Sequence, residues 1–194
     1  MDRKAKISRK TSETNISMEL NLDGTGVSTI ELEAGFWRHM MTLLFFFSRI
    51  DACVVAKGDL DVDDHHTVED LGISFGAAVK QALGDRSNIT RFGTSLMPMD
   101  ETLVQIALDI SGRPYLGFHV PVVRGWEQSV LIENTQEFLR AFVNHAGITL
   151  HVKLFVGENT HHICEAIFKG LGLALRKAVK PDLLGVPSTK GSFD

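Results

Sequence analysis

The stretches DDHHTVED (Asp63 to Asp70) and NTHHICEA (Asn159 to Ala166) write one cluster twice: two adjacent histidines, then a glutamate three residues after the second. Sliding the sequence by 96 residues (161 − 65) lays His65, His66 and Glu69 on His161, His162 and Glu165. The same register lays Gly76 on Gly172, Ala78 on Ala174, Lys80 on Arg176 and Ala82 on Ala178. Chance supplies small residues easily, but rarely the histidine pair, the glutamate and the small residues together. The chain therefore reads as a tandem duplication.

The rest of the sequence follows the same plan. NISMELNL (Asn15 to Leu22) alternates polar and apolar residues as a half-buried strand does; DGTG turns, and VSTIEL returns. Phe36 to Ser48 is apolar almost all round, as a buried helix is, and CVVAKGDLDV is strand-like. Asp63 or Asp64 can cap a helix that runs to about Leu83 and closes at Gly84. ETLVQIALDI and PYLGFHVPVV then read as strands, Leu131 to His145 as a helix, TLHVKLFVG as a strand and Thr160 to Val179 as a helix. This is strand, strand, helix, strand, helix, twice over: an α+β chain of two fused halves with a shared core. The halves are placed at 1–92 and 93–180, with a tail at 181–194.

Bulk composition narrows the function classes. With 194 residues, 44% of them hydrophobic and 23% charged, the chain is an ordinary globular one. Its formal charge of −4 gives no electrostatic case for nucleic acid or an anionic membrane as partner. MMTLLFFF (Met40 to Phe47) is too short to span a bilayer, and MDRKAKISRK lacks the apolar core of a secretory signal. Cys53 and Cys164 form no C-x-x-C pair. A soluble cytoplasmic protein is expected.

The doubled cluster carries the chemistry. Helical residues four apart share a face, whereas neighbours diverge by about 100°. His65 with Glu69, and His161 with Glu165, can each close on one ion; His66 and His162 point elsewhere and suit a second. Imidazole with carboxylate fits a divalent transition metal, manganese in particular. His39, on the apolar helix, and His151, on a strand, are plausible completions, giving six histidines and two glutamates for two sites of four. A polar helix start explains one HHxxE by accident; two in register are harder to dismiss. His119 and His145 lack such company and are assigned surface or core roles.

Six blocks in order, RKTSETNISMELNLDGTG, GDLDVDDHHTVED, PMDETL, LDISGRPYL, GENTHHICEAIFK and PSTKG, resemble the imidazoleglycerol-phosphate dehydratase family from about Arg9 to Gly191. The resemblance implies two ββαβ-type halves, of the kind also seen in the second domain of ribosomal protein S5. It also implies two Mn2+ per active site (Zn2+ or another divalent ion being possible) held by His39, His65, His66, Glu69, His151, His161, His162 and Glu165. A shell of twenty-four subunits with active sites between chains is implied too. Arg91, Arg113, Lys169, Ser188 and Lys190 resemble contacts to a phosphorylated imidazole substrate, the guanidinium fork matching phosphate. Glu13, in TSET, resembles a substrate-side glutamate and is the candidate proton carrier; Asp100 is a weaker one.

The reaction so implied removes water from imidazole glycerol phosphate to give imidazole acetol phosphate in histidine biosynthesis. The C–H to be broken has no carbonyl beside it, so the ring must serve as electron sink, held as its anion between two metals and passing through a diazafulvene-like species. Two departures from the family pattern stand in GFWRHMMTLLFFFSR: Arg38 where Asp or Asn is usual, and Phe47 where a second histidine is usual. They motivate an alternative, a catalytically impaired metal-held shell protein. A dimetal hydrolase is the weakest reading, for want of a distinct water-activating arrangement.

Overall fold

The computed structural model describes residues 3–121, 126–183 and 185–191. Val122 and Val123 of the PYLGFHVPVV strand candidate, and Leu184 and 192–194 of the tail, lie outside them. The first half comprises β1 (Lys4–Lys10), β2 (Thr14–Asn21), β3 (Ser28–Leu32), α1 (Gly35–Ser48), β4 (Asp51–Gly58) and α2 (His65–Leu83). The second repeats it: β5 (Phe92–Met99), β6 (Thr102–Asp109), β7 (Tyr115–His119), α3 (Trp126–Ala146), β8 (Thr149–Val156) and α4 (Thr160–Ala178). Two four-stranded mixed sheets result, in the orders β1-β2-β4-β3 and β5-β6-β8-β7. In each, only the last pair (β3 with β4, β7 with β8) runs parallel. No helix among the described residues is long and apolar enough to cross a membrane.

The duplicated α+β architecture is as the sequence implies, with three differences. Each half opens with an edge strand, β1 or β5, that periodicity does not reveal. β1 is KAKISRK, whose outward face is Lys4, Lys6, Ser8 and Lys10 and whose only apolar residues are Ala5 and Ile7. β5 is FGTSLMPM, whose Gly93 and Pro98 read as breakers but are tolerated at a sheet edge. The third difference is α3, which begins at Trp126 rather than Leu131.

One apolar core serves both halves. The helices are exchanged across it: α2 packs on α3 and α1 on α4. The glycines matched in the duplicated register mark the crossings. A Cβ at Gly76 would stand 2.6 Å from the Phe142 carbonyl oxygen, and one at Gly172 would stand 2.7 Å from that of Leu44. Gly72 reinforces the first crossing, where a Cβ would collide with the Phe138 carbonyl oxygen. Only a residue without a side chain permits that approach. Between the backbones, Phe75, Phe142, Phe138 and Phe168 form a run of stacked and tilted rings.

The outer faces of the two sheets differ. In the first, the outward residues of β1 and β2 are polar, among them Lys4, Lys6, Asn15, Ser17 and Glu19, with Lys6 paired to Glu19 at 2.6 Å. In the second, Phe92, Leu96, Tyr115, Phe155 and Val156 are each more than half exposed.

Candidate metal centre

Both HHxxE clusters sit in the first turn and a half of a helix, opened by an Asx residue two places before the first histidine. Asn159 Oδ1 accepts from the His161 and His162 amides, at 2.9 and 3.4 Å. Asp63 Oδ1 accepts from the His65 amide at 2.7 Å. Asp63 therefore does the capping, while Asp64 accepts from Trp37 Nε1 at 3.0 Å.

On α4 the four-residue spacing brings His161 Nε2 to 3.3 Å from Glu165 Oε2. His39 joins them from α1, because the Gly172 crossing lays α1 against α4. Ligand atoms of His39, His161 and Glu165 all lie within 4.8 Å of one another. Both histidines are exposed, whereas Glu165 is buried. Burial pushes the Glu165 carboxyl upward, but Lys169, with His39 and His161, more than reverses this and holds it below the ordinary glutamate range. A buried carboxylate kept charged beside two solvent-facing imidazoles fits a divalent transition metal.

His65 and Glu69 share a face of α2 in the same way, but no third donor joins them among the described residues. His66 Nδ1–H donates to Asp59 Oδ2 at 3.0 Å, with Glu13 Oε2 at 3.9 Å. His162 Nδ1–H donates to Glu101 Oε2 at 2.8 Å, with Asp100 Oδ2 at 3.8 Å from its Nε2. Asp59 and Glu101 are the first causes that push these imidazoles above the usual histidine value. A carboxylate on Nδ1 fixes the tautomer that leaves Nε2 as donor, the usual support of a ligating histidine. His151 stands apart, exposed on β8 with its ring 5.4 Å from that of Tyr115. Gly117 lies beneath it, where a Cβ would meet Nδ1 at 2.6 Å.

Glu101 is the supporting residue of this cluster that the sequence motifs do not single out. Its Oε1 also accepts from the Asn159 and Glu158 amides, at 3.0 and 3.3 Å, so one side chain ties the β5–β6 turn to the start of α4. A signal was available: Glu101-Thr102 heads β6 as Glu13-Thr14 heads β2, and both glutamates face the second histidine of their own half.

The candidate phosphate contacts are dispersed. Arg91, at φ 74°, forks onto Asp109 at 2.6 and 3.0 Å, and its Nη1 donates to the Pro187 carbonyl at 2.7 Å. It thus ties the tail that carries Ser188 and Lys190 to the second sheet. The Lys190 amide donates to Ser188 Oγ at 3.2 Å. The Arg113 guanidinium has no partner among the described residues. Lys169 Nζ is taken up by Glu165 Oε1 at 2.6 Å, with the Phe47 ring centroid at 5.9 Å. Arg38 donates to the Leu32 carbonyl at 2.6 Å. His145, facing the Ala141 carbonyl at 2.8 Å, serves the fold, and His119 is an exposed strand residue.

A tandem-duplicated α+β enzyme, with imidazole and carboxylate donors gathered where its halves cross, is the class that fold and site define. Residues 33–175 match the family model for imidazoleglycerol-phosphate dehydratase. The chain is 51% identical over 193 residues to the imidazoleglycerol-phosphate dehydratase of Acetivibrio thermocellus, covering 98% of this chain and 99% of that one. It is 53% identical over 194 residues to that of Rhodopseudomonas palustris, covering 98% of each. Among solved structures, that of the Pyrococcus furiosus protein superposes with a TM-score of 0.84 at 38% identity, over 96% of this chain and 99% of that one. The Staphylococcus aureus dehydratase superposes with a TM-score of 0.81 at 36% identity, over 92% and 99%. The chain belongs to the imidazoleglycerol-phosphate dehydratase family, a family of hydro-lyases.

Proposed function

We propose that this chain dehydrates imidazole glycerol phosphate to imidazole acetol phosphate as a dimetal lyase of histidine biosynthesis. The convergence of His39, His161 and Glu165 from opposite halves carries this assignment. Those three would hold one ion and His65 with Glu69 another; His66, His162 and His151 complete the set. Two divalent ions held there, Mn2+ by expectation, would supply the positive charge that lets the imidazole ring act as electron sink.

The chain's own groups account for the rest. Arg91, Arg113, Lys169, Ser188 and Lys190 are the donors that would anchor the phosphate and so fix the glycerol chain. Glu13, whose carboxylate lies beside His66, accepts the proton from the C–H next to the departing hydroxyl. The C–O bond breaks and the hydroxide, taking a proton from solvent, leaves as water; Glu13 returns its own proton to solvent, and the enol that remains tautomerises to the ketone.

Completion across chains belongs to the same proposal. His151 joins no cluster of three candidate ligands among the described residues, and it shares the outer face of the second sheet with exposed Phe92, Leu96, Tyr115 and Phe155. An apolar face of that kind suits association with further copies, up to the twenty-four subunits of the family, so that neighbours supply the missing donors. Cys53 and Cys164 are both free thiols, in keeping with a reducing cytoplasm.

The test is manganese-loaded protein with imidazole glycerol phosphate, monitored for the ketone. Turnover that chelation abolishes is expected. Bound metal and an intact particle without turnover at any loading would favour the impaired shell protein, to which Phe47 beside Lys169 gives its motive.

A further inference from the structure

The two HHxxE helices surround their glutamates with different charges. On α4, Lys169 stands one turn after Glu165 and holds Oε1 at 2.6 Å, so that Oε2 is the oxygen 3.3 Å from His161 Nε2. The ammonium is fenced on its other sides by Met99 Sδ at 3.5 Å and the Phe47 ring at 5.9 Å, and the side chain is 17% exposed. On α2, the register that lays Glu69 on Glu165 lays Ile73 on Lys169. Glu69 has no ion-pair partner among the described residues, and Arg9, on the neighbouring strand, is taken by Asp70 at 2.8 Å. Acidic groups do not account for the difference, because they match: Glu13 and Asp59 stand beside His66, Asp100 and Glu101 beside His162.

We propose that Lys169 sets the two metal sites of this chain apart, so that the ion held by His39, His161 and Glu165 binds more weakly and exchanges faster than the ion held by His65 and Glu69. This rests on the dimetal reading above. A half-buried ammonium on the far oxygen of a carboxylate is a like charge close to any dication on the near oxygen. Solvent screens it poorly at that exposure. It also neutralises much of the negative charge that Glu165 offers. Glu69 delivers its charge undivided. Lys169 thus acts here as a positioning residue, through Glu165, whatever contact it also makes with a substrate phosphate.

The deciding measurement is Mn2+ binding to the full chain after its metal has been stripped, with free ion counted by electron paramagnetic resonance. Two classes of site are expected, one ion per chain in each. Lys169→Met, whose thioether suits the surroundings of Met99 and Phe47, should tighten the weaker class on the order of tenfold and leave the tighter one unmoved. Ile73→Lys should weaken the tighter class, and decides alone if Lys169→Met does not fold. A single class in the unsubstituted chain overturns the proposal, as do two classes that neither substitution moves. Weaker binding by Lys169→Met overturns it too, leaving Lys169 a merely structural role. A chain that binds no Mn2+ at all fails the dimetal reading, and this inference with it.

Discussion

The α4 cluster finds a third donor inside its own chain and the α2 cluster does not, although the two were written from one motif. The cause lies in what crosses each helix. α1 brings His39 over α4; in the register that lays Leu44 on Phe142 at the two glycine crossings, His39 falls on Glu137 of α3, which is paired with Arg140. Duplication supplied two equal helix starts, and the crossing helices made them unequal. The supporting residues diverged in the same way: Glu101 grips His162 and two backbone amides at once, whereas His66 shares Asp59 and a more distant Glu13.

Four experiments would break or sharpen that contrast. The largest effect is expected from Glu165→Gln, which removes the one buried carboxylate of the completed cluster. Activity should fall by more than the roughly 10–100-fold typical of outer-shell changes at metal sites, read as kcat/KM at saturating Mn2+. An active variant with full metal occupancy would remove α4 from the site. Next, Glu101→Gln should weaken metal binding by about 10–100-fold, while Asp59→Asn should do less because Glu13 stands in reserve. Equal effects in a titration would mean that the two second histidines are held alike.

Gly172→Ala and Gly76→Ala should each lower stability by about 1–3 kcal/mol through overpacking at a helix crossing. Only Gly172→Ala, which forces α1 from α4, should also loosen the His39 site; denaturant melts paired with metal titrations test this. The smallest effect concerns acid. Partial desolvation works upward on Asp51, but the Thr25, Val27 and Gly26 amides donate to it and hold its carboxyl below the usual aspartate range. A depressed folded value adds stability that is complete above the unfolded value, near 3.9, and lost as pH falls through the folded one. β8 has Thr149 at the matching place, so acid should release the β2–β3 turn and spare the β6–β7 turn. Amide exchange at Thr25, Gly26 and Val27 should then speed up below about pH 4 relative to Asp51→Asn, and no difference would dismiss the clamp.

The plan of the molecule was legible wherever one residue type had one explanation. The histidine pairs, with Gly76 and Gly172 in the same register, revealed the duplication, because metal donors and a side-chain-free crossing each tolerate few residues. The edge strands were illegible. KAKISRK hides its two inward residues among cations, and FGTSLMPM breaks its own alternation with Gly93 and Pro98. Nor could spacing show that His39 would meet the second half's cluster, since that follows from helices exchanged between halves, a long-range property. Glu101 reads as a turn residue in the sequence; its hold on His162 and on the Glu158 and Asn159 amides is visible only in the fold.

The exchanged helices bear on how the two halves stay together. Were the chain cut in the loop after Leu83, each fragment would expose the glycine-lined groove that its counterpart's helix fills. Their meeting would then depend on dilution, as any bimolecular association does. Carried on one polypeptide and joined by residues 84–91, they are confined at a local concentration that the linker alone fixes, and half of the donor cluster is never lost to the solvent.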